Sequence, residues 1–402
     1  MSGWITERAD AYCDSVRDGT HDSPKPVERG HRLITSKHIA NETLNFAGAN
    51  FISDEDYEAI NQRSRVDVGD LLFSMIGTVG RVYRVDDEPD YAIKNMGLFK
   101  ISDELKSKYL FYYMQSPTAK QYIEGCLAGS TQKFMSLTNL RAFPIVYPND
   151  HTTMAAIVEI LDSLTWKHRI NQRTNDYLEQ LLLARFDRLF QSADSFNGTI
   201  SDIGEVVGGA TPSKKRPEYY CHRGIGWITP RDLSNTSDKF IAHGADDITQ
   251  AGFDSCSAKK LPAGSVLFSS RAPIGYIAIA SDEVTTNQGF KSIVPRAEVG
   301  TAFVYCFLVR NKYRIADAGS GTTFPEVSGK TMASIGLVLP DVGRCAEFEE
   351  WAKPILKEQF RLEEESHGLG RLRDALLPKL MSSEIDVSKV ELSTPLNNHL
   401  SV

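Results

Sequence analysis

Four short segments recur in the same order in the two halves of this chain, and that internal repeat restricts its possible folds more than any other feature. Residues 69–82, GDLLFSMIGTVGRV, align without a gap on residues 264–277, GSVLFSSRAPIGYI, an offset of 195. Upstream, Ile34-Thr-Ser-Lys-His-Ile39 answers Ile228-Thr-Pro-Arg-Asp-Leu233. Downstream, Asn95-Met-Gly97 answers Asn287-Gln-Gly289, and Phe143-Pro-Ile-Val-Tyr-Pro148 answers Ile335-Gly-Leu-Val-Leu-Pro340. One such pair is unremarkable, but four in order, at offsets between 192 and 195, point to duplication. At 402 residues the chain exceeds one ordinary core, so two domains of like design are expected.

Each half ends in a heptad pattern. Steps of three and four from Met154 give Ile157, Leu161, Leu164, His168, Asn171, Asn175, Leu178, Leu182, Arg185 and Leu189, seven of the eleven apolar. The same steps from Phe348 give Trp351, Ile355, Glu358, Leu362, Glu365, Leu369, Leu372, Leu376 and Lys379, seven of ten apolar. A solitary heptad helix exposes a long apolar stripe, so the two are expected to lie antiparallel with both seams buried. Pro354 either kinks the second helix or marks its beginning, and Gly368 and Gly370 each weaken it by about 1 kcal/mol relative to alanine. The pairing places His168, Asn171 and Asn175 near Glu358 and Glu365. These polar positions either fix the register or face a water-filled gap.

Within each half the pattern is mixed. Residues 71–74 and 266–269 read as strands after a glycine turn, with 81–85 and 276–280 as hairpin partners. Residues 108–123 and 302–316 carry helical spacing, and a last strand, 143–147 or 335–339, stops at a proline. Residues 191–199 are polar and contain glycine, as a linker would. The expected organisation is α+β: mixed domains at 1–150 and 200–341, long helices at 151–190 and 342–383, a linker at 191–199 and a tail at 384–402.

No apolar run approaches the roughly 20 residues of a membrane helix, and the first residues show neither a basic leader nor an apolar core; a cytoplasmic address is expected. The six cysteines lie far apart with no C-x-x-C pair, which argues against a zinc cluster or a disulfide framework. The net charge of −7 gives nucleic-acid binding no support by itself, so such a function must rest on local charge. Gly329-Lys-Thr331 looks like the end of a phosphate-binding loop, but Phe324 stands where that loop needs glycine. Pro89-Asp90 with Glu104-Leu-Lys106 mimics a metal-dependent nuclease signature, although Glu104 and Lys106 stand at a helix entrance and not on a strand. No hydrolase elbow, zinc-protease helix or amino-methyltransferase tetrapeptide is present, and the nine histidines are scattered.

Local charge is more informative. The loop from Thr211 through Ser213, Lys214, Lys215 and Arg216 to Arg223 interleaves cations with hydroxyls and two tyrosines, which suits contact with phosphate. Its counterpart supplies Thr20, His21, Ser23 and Lys25 in a Gly/Pro-shaped turn. Both precede the Ile-Thr segments in equivalent places, and Lys37, which follows the pair ending at Thr35, matches Arg231. Arg81, Lys94 and Asn95 in one half, and Arg271, Asn287, Gln288 and Lys291 in the other, stand at the ends of apolar strands; Asn, Gln and Arg are the side chains that read base edges. Two further hydroxyl-rich loops, containing Lys133 before Phe134 and Thr322 and Thr323 before Phe324, complete the set. The alternative for each loop is a solvated surface turn, and for both phenylalanines a ring that caps the core.

In their order, twice over, these residues resemble the specificity subunit of type I restriction-modification enzymes. The resemblance covers nearly the whole chain: the Gly-Thr-His-Asp-Ser-Pro turn at Gly19 to Pro24, the Gly-Asp-Leu-Leu-Phe-Ser segment, both Asn-x-Gly sites, the Phe-Pro-Ile strand and the two long helices. It implies a non-catalytic protein with two target recognition domains, each reading one part of a split site in double-stranded DNA. The helices then act as spacer and dock two modification subunits, and restriction subunits join the full complex. S-adenosylmethionine, ATP and Mg are expected on those partners, with no cofactor on this chain. A helix over residues 154–189 is roughly 50 Å long at about 1.5 Å per residue, between one and two turns of DNA. The competing readings are a nuclease using Asp90, Glu104 and Lys106, and a scaffold that binds no DNA.

Overall fold

Both heptad stretches form continuous helices, and both begin in the same way. In the computed structural model, which describes residues 3–40, 43–127, 133–190, 196–271, 273–321 and 325–387, they run His151–Leu189 and Val342–Met381. Asp150 accepts the backbone N–H of Thr153 and Asp341 that of Arg344, both at 2.9 Å, so each helix starts on an aspartate that satisfies a donor of its first turn. Hydrogen bonds from Thr152 and Thr153 hold the Asp150 carboxyl well below its ordinary value. The second helix continues through Pro354, which therefore does not mark its start.

The described residues form two units, one from Met1–Lys167 with Leu369–Val402 and the other from His168–Gly368. In the first, Trp4–Arg8 pairs antiparallel with Pro144–Pro148, which ties the start of the half to its end. A four-stranded sheet runs in the order Ser15–Asp18, Met96–Lys100, Leu71–Ser74, Val82–Arg84. A three-stranded sheet places His31–Ile34 between Asn50–Ile52 and Tyr91–Ile93, the last parallel to it. The helical stretch expected at 108–123 is two helices, Glu104–Tyr113 and Pro117–Cys126, because Ser116 caps the second and Pro117 occupies its first turn. Tyr109, Tyr112 and Tyr113 are fully buried, and each hydroxyl has a partner: Val146 carbonyl at 2.8 Å, Asp162 carboxylate at 2.7 Å and Pro144 carbonyl at 3.0 Å. Met154, Ile157 and Leu161 of the first long helix share this core with Leu377, Leu380 and Met381 of the second. Val387, at the start of the expected tail, is also buried there.

The second unit repeats the plan. Gly198–Thr199, the end of the expected linker, pairs with Gly336–Leu337. A five-stranded sheet runs Gly204–Gly208, Lys291–Pro295, Val266–Ser270, Ile274–Ala280, Phe240–Ile241, and Gly226–Ile228 lies parallel to Val284–Thr286. Helix Thr301–Asp317 packs Phe303, Val304 and Phe307 into a core shared with Leu182 and Phe186 of one long helix and Phe348, Ala352 and Leu356 of the other. Burial pushes the Cys345 thiol in this core up to about 12.

In this unit the paired positions on the two long helices move in opposite directions, so the helices are antiparallel. Phe186 meets Phe348 at 6.0 Å between ring centroids, Asn175 and Gln359 exchange amide-to-carbonyl bonds at 3.5 and 3.2 Å, and Asn171 Nδ2 donates to Glu365 at 3.0 Å. Glu365 is where the heptads place it. Glu358 instead pairs with Arg361 at 2.7 Å, and Gln359 takes the seam position opposite Asn175. Asn171 is 1% exposed, and the Oδ1 atoms of Asn171 and Asn175 are buried without a hydrogen-bond donor among the described residues. Such a polar pair favours one register over its apolar alternatives at a cost in stability.

The same seam carries a buried polar network. Glu363 accepts the backbone N–H groups of Lys239 (2.9 Å) and Phe240 (3.2 Å), which fixes an edge of the sheet against the helix. Burial pushes the Glu363 carboxyl from an ordinary 4.5 up to about 7, against those two donors, which favour the ionised form. Over that window the folded state keeps a proton that the unfolded chain has released, so the contribution to stability is full below pH 4.5 and is lost as pH rises through about 7. The melting temperature is therefore expected to fall more between about pH 5 and pH 8 in the native protein than in Glu363→Gln; parallel profiles would contradict this.

Candidate nucleic-acid interface

In the first unit the candidate residues gather where the parallel strands His31–Ile34 and Tyr91–Ile93 end. Gly19 enters that rim so closely that a Cβ would lie 2.4 Å from the Ile93 carbonyl oxygen, so only glycine fits. Thr20 N–H then bonds Ile93 carbonyl at 3.0 Å, and Asn95 N–H bonds Thr20 carbonyl at 3.1 Å. Asn95 has φ of 52°, a left-handed conformation that asparagine tolerates better than most residues. His21 bridges two side chains, with Nδ1 2.8 Å from Asn95 Oδ1 and Nε2 2.9 Å from Asp18 Oδ2. Asp18 is buried and also paired with Arg63, while Lys94 reaches Ser23. Lys25 is exposed beyond this turn.

Thr35 and Lys37 are brought to the same rim by a short turn. The Ser36 hydroxyl reaches the Asn95 carbonyl at 3.5 Å. Thr35 and His38 cap each other around helix Ser36–His38, so the Thr35 hydroxyl is engaged, whereas Lys37 projects into solvent. Burial lowers the His38 pKa, which favours the neutral ring. Arg81 is also exposed, but its guanidinium donates to Ile39 carbonyl at 2.8 Å. Lys133 lies on a neighbouring strap, its carbonyl accepting Gly77 N–H at 3.3 Å.

The second unit builds the same corner. A Cβ on Gly209 would lie 2.1 Å from the Asn287 carbonyl oxygen; Ala210 N–H bonds Thr286 carbonyl at 2.9 Å, and the Thr211 hydroxyl bonds Gln288 Oε1. Thr229 and Asp232 form a capping box around helix Pro230–Ser234, which leaves Arg231 exposed as Lys37 is. Ser213, Lys214 and Lys215 are exposed, the two lysines without an ion pair among the described residues, while Arg216 reaches Glu218 at 3.2 Å. Arg271 and Lys291 are drawn to one carboxylate, Glu326, at 3.7 and 3.3 Å. Their charge is thus partly neutralised by a residue 55 and 35 positions further along the chain. Thr322 and Thr323 lie outside the described residues.

One alignment needs correcting. Ile34 sits opposite Ile93 and Ile228 opposite Thr286, and the next amides, Lys94 and Asn287, donate to the Ile34 and Ile228 carbonyls at 2.8 and 3.0 Å. Lys94 therefore corresponds to Asn287 and Asn95 to Gln288, one residue away from the pairing of Asn95 with Asn287. The second half has one more residue before register resumes, with Met96 opposite Ser74 and Phe290 opposite Ser269. In the corrected register the His21–Asn95 and Thr211–Gln288 bonds are the same contact made twice.

Asp18, Arg63, Glu326 and Gly209 were not singled out in the sequence, and Gly19 was named only as the first residue of the Gly-Thr-His-Asp-Ser-Pro turn. A signal existed for Asp18, three residues before His21 across the Gly-Thr turn. None existed for Arg63, which arrives from helix Asp54–Ser64. The nuclease reading gains no support: Asp90 binds His31 at 2.5 Å, Glu104 pairs with Lys108 at 3.0 Å, and Lys106 lies over the Tyr12 ring at 5.2 Å. Among the described residues no group of three or more His, Cys, Asp or Glu could hold a metal ion, and no helix is long and apolar enough to cross a membrane.

Residues 25–180 and 194–344 each match the type I restriction modification DNA specificity domain, and the chain belongs to that family. Over 144 residues it is 43% identical to the type I restriction enzyme MjaIX specificity subunit of Methanocaldococcus jannaschii, covering 35% of this chain and 33% of that one. Over 189 residues it is 30% identical to the HindI specificity subunit of Haemophilus influenzae, covering 46% and 40%. The chain thus spans less than half the length of these two relatives. The crystal structure of a type I restriction-modification system S subunit from M. genitalium has a like fold, with a TM-score of 0.53 at 14% identity over 94% of this chain and 96% of that one.

Proposed function

We propose that this chain is the DNA sequence-recognition subunit of a type I restriction-modification system, each half reading one part of a bipartite site. The observation that carries this reading is the matching pair of corners, each with a glycine-tight entry, a polar loop, an exposed Lys37 or Arg231 and an Asn or Gln side chain at a strand end. Asn and Gln hydrogen-bond base edges in the major groove, and the surrounding cations suit phosphate. Thr20, His21, Ser23, Lys25, Lys37, Lys94 and Asn95 form the first surface, with Arg81 and Lys133 flanking it. Thr211, Ser213, Lys214, Lys215, Arg216, Arg231, Asn287 and Gln288 form the second; Thr35 supports the first structurally, and Arg271 and Lys291 the second.

In this reading residues 1–150 and 200–341 are the target recognition domains, and the two long helices are spacer and docking surface for two modification subunits. The chain is non-catalytic; S-adenosylmethionine serves the modification subunits, and ATP and Mg the restriction subunits. The acidic total charge fits a protein whose partners supply much of the phosphate neutralisation. Mapping methylated sites in genomic DNA from cells that produce the chain with its modification subunit is expected to give two short specified sequences around an unread gap. Equal binding of the assembled complex to all DNA sequences would refute the proposal.

A further inference from the structure

The hydrogen-bond inventory at His21 constrains what Asn95 shows to a ligand. The Asp18 carboxylate, paired with Arg63, can only accept, so His21 donates to it from Nε2 whatever the charge on the ring. In the neutral ring Nδ1 carries a lone pair and must accept; the Asn95 amide then turns Nδ2 toward the ring and Oδ1 outward. In the imidazolium Nδ1 donates as well, Oδ1 takes that bond, and Nδ2 faces outward. Asn95 is half-buried with its amide otherwise unengaged among the described residues, and His21 is exposed, so the outward atom is open to a ligand. The charged groups around the ring are Asp18 and Arg63 behind it, Lys94 held by Ser23 on the adjoining strand end, and Asp22 and Lys25 on its own loop.

We propose that Asp18, His21 and Asn95 form a proton-linked base-reading element confined to the N-terminal half. With His21 neutral, Asn95 presents an acceptor and selects the exocyclic amino group of adenine or cytosine; with His21 protonated, it presents a donor and selects guanine or thymine acceptors. Asn95 makes the base contact, and His21 and Asp18 are positioning residues. The equivalent contact in the C-terminal half, Thr211 to Gln288, contains no group that changes charge near neutral pH, so that contact is independent of pH. The inference rests on the DNA-reading function proposed above.

The test uses the full chain assembled with its modification subunits and duplexes that carry the mapped site or a single base-pair substitution in either half. Competition binding at about pH 6 and about pH 8 is expected to change discrimination at one base pair of one half-site by about tenfold or more, and to leave the other half-site unchanged. In His21→Gln, whatever its affinity, discrimination at that base pair is expected to lose its dependence on pH. No pH effect, an equal effect on both half-sites, or an effect that survives in His21→Gln would overturn the proton link while leaving the DNA-reading function in place. Absence of sequence preference in both half-sites would overturn both.

Discussion

Replacing Lys239 by alanine is expected to destabilise the C-terminal unit by about 3 to 5 kcal/mol, the usual cost of removing one partner from a buried ion pair. Lys239 is 7% exposed. Its ammonium is held by the Glu179 carboxylate of the first long helix, by Gln359 Oε1 of the second at 2.6 Å, and by the face of the Tyr305 ring at 4.6 Å. Tyr305 donates its hydroxyl to the other Glu179 oxygen at 3.0 Å; burial and that carboxylate raise its pKa, so it stays a donor. Alanine would leave Glu179 with one partner fewer in a poorly hydrated seam and open a void where the lysine stem lay. Lys239→Met, which keeps the stem, is expected to lose less. Because Phe240–Ile241 is the edge strand of the five-stranded sheet, in which strand Lys291–Pro295 begins at the candidate interface, the alanine variant should also relax recognition of one half-site while the other is still read. Denaturant unfolding checks the energy, and a loss under about 1 kcal/mol would show that the pair adds nothing over its desolvation cost.

That network marks where reading from the sequence stopped. The long helices were legible because a heptad pattern is local information repeated many times, and the sheet cores were legible because the duplicated segments supported each other. Lys239 was not legible. In Ser-Asp-Lys-Phe-Ile it looks like any solvated lysine, and its partners come from positions 179, 305 and 359. Glu326, which draws in Arg271 and Lys291, is also far from both in the chain, 55 and 35 residues away. The Asn-x-Gly match misled for a different reason: identical letters gave the better sequence alignment, while strand pairing fixed the register one residue away. The break at Ser116-Pro117 was present in the sequence as a cap followed by a first-turn proline, but it was outweighed by the apolar spacing on either side. The candidate corners were recoverable as neighbourhoods. Which side chains in them are committed to the protein itself, as Thr35 is to its cap, depends on geometry.

Inserting one matched heptad into both long helices, at 167/168 and 368/369 where the chain passes between units, is expected to lengthen the preferred gap between half-sites by about three base pairs. Seven helical residues add about 10 Å, and a base pair rises about 3.4 Å. A heptad is the required unit because seven residues fall only about 20° short of two turns, so the apolar seam still faces its partner. Insertion into one helix alone would instead part Asn171 from Glu365, or Met154 and Leu161 from Leu377 and Leu380, and cost stability before spacing could be read. DNA rotates by about 100° over three base pairs, since a full turn takes about 10.5. The lengthened protein must therefore twist its target or itself to engage both halves, and its best site should bind more weakly than the parent site binds the parent protein. On the parent site the variant should lose at least about a hundredfold, because one half-site falls out of reach and each unread base pair costs about 1 to 3 kcal/mol. Methylation mapping of the double-insertion variant measures the gap directly. An unchanged gap with retained affinity would mean that something other than helix length sets the spacing, and the two helices would then be left with docking as their role.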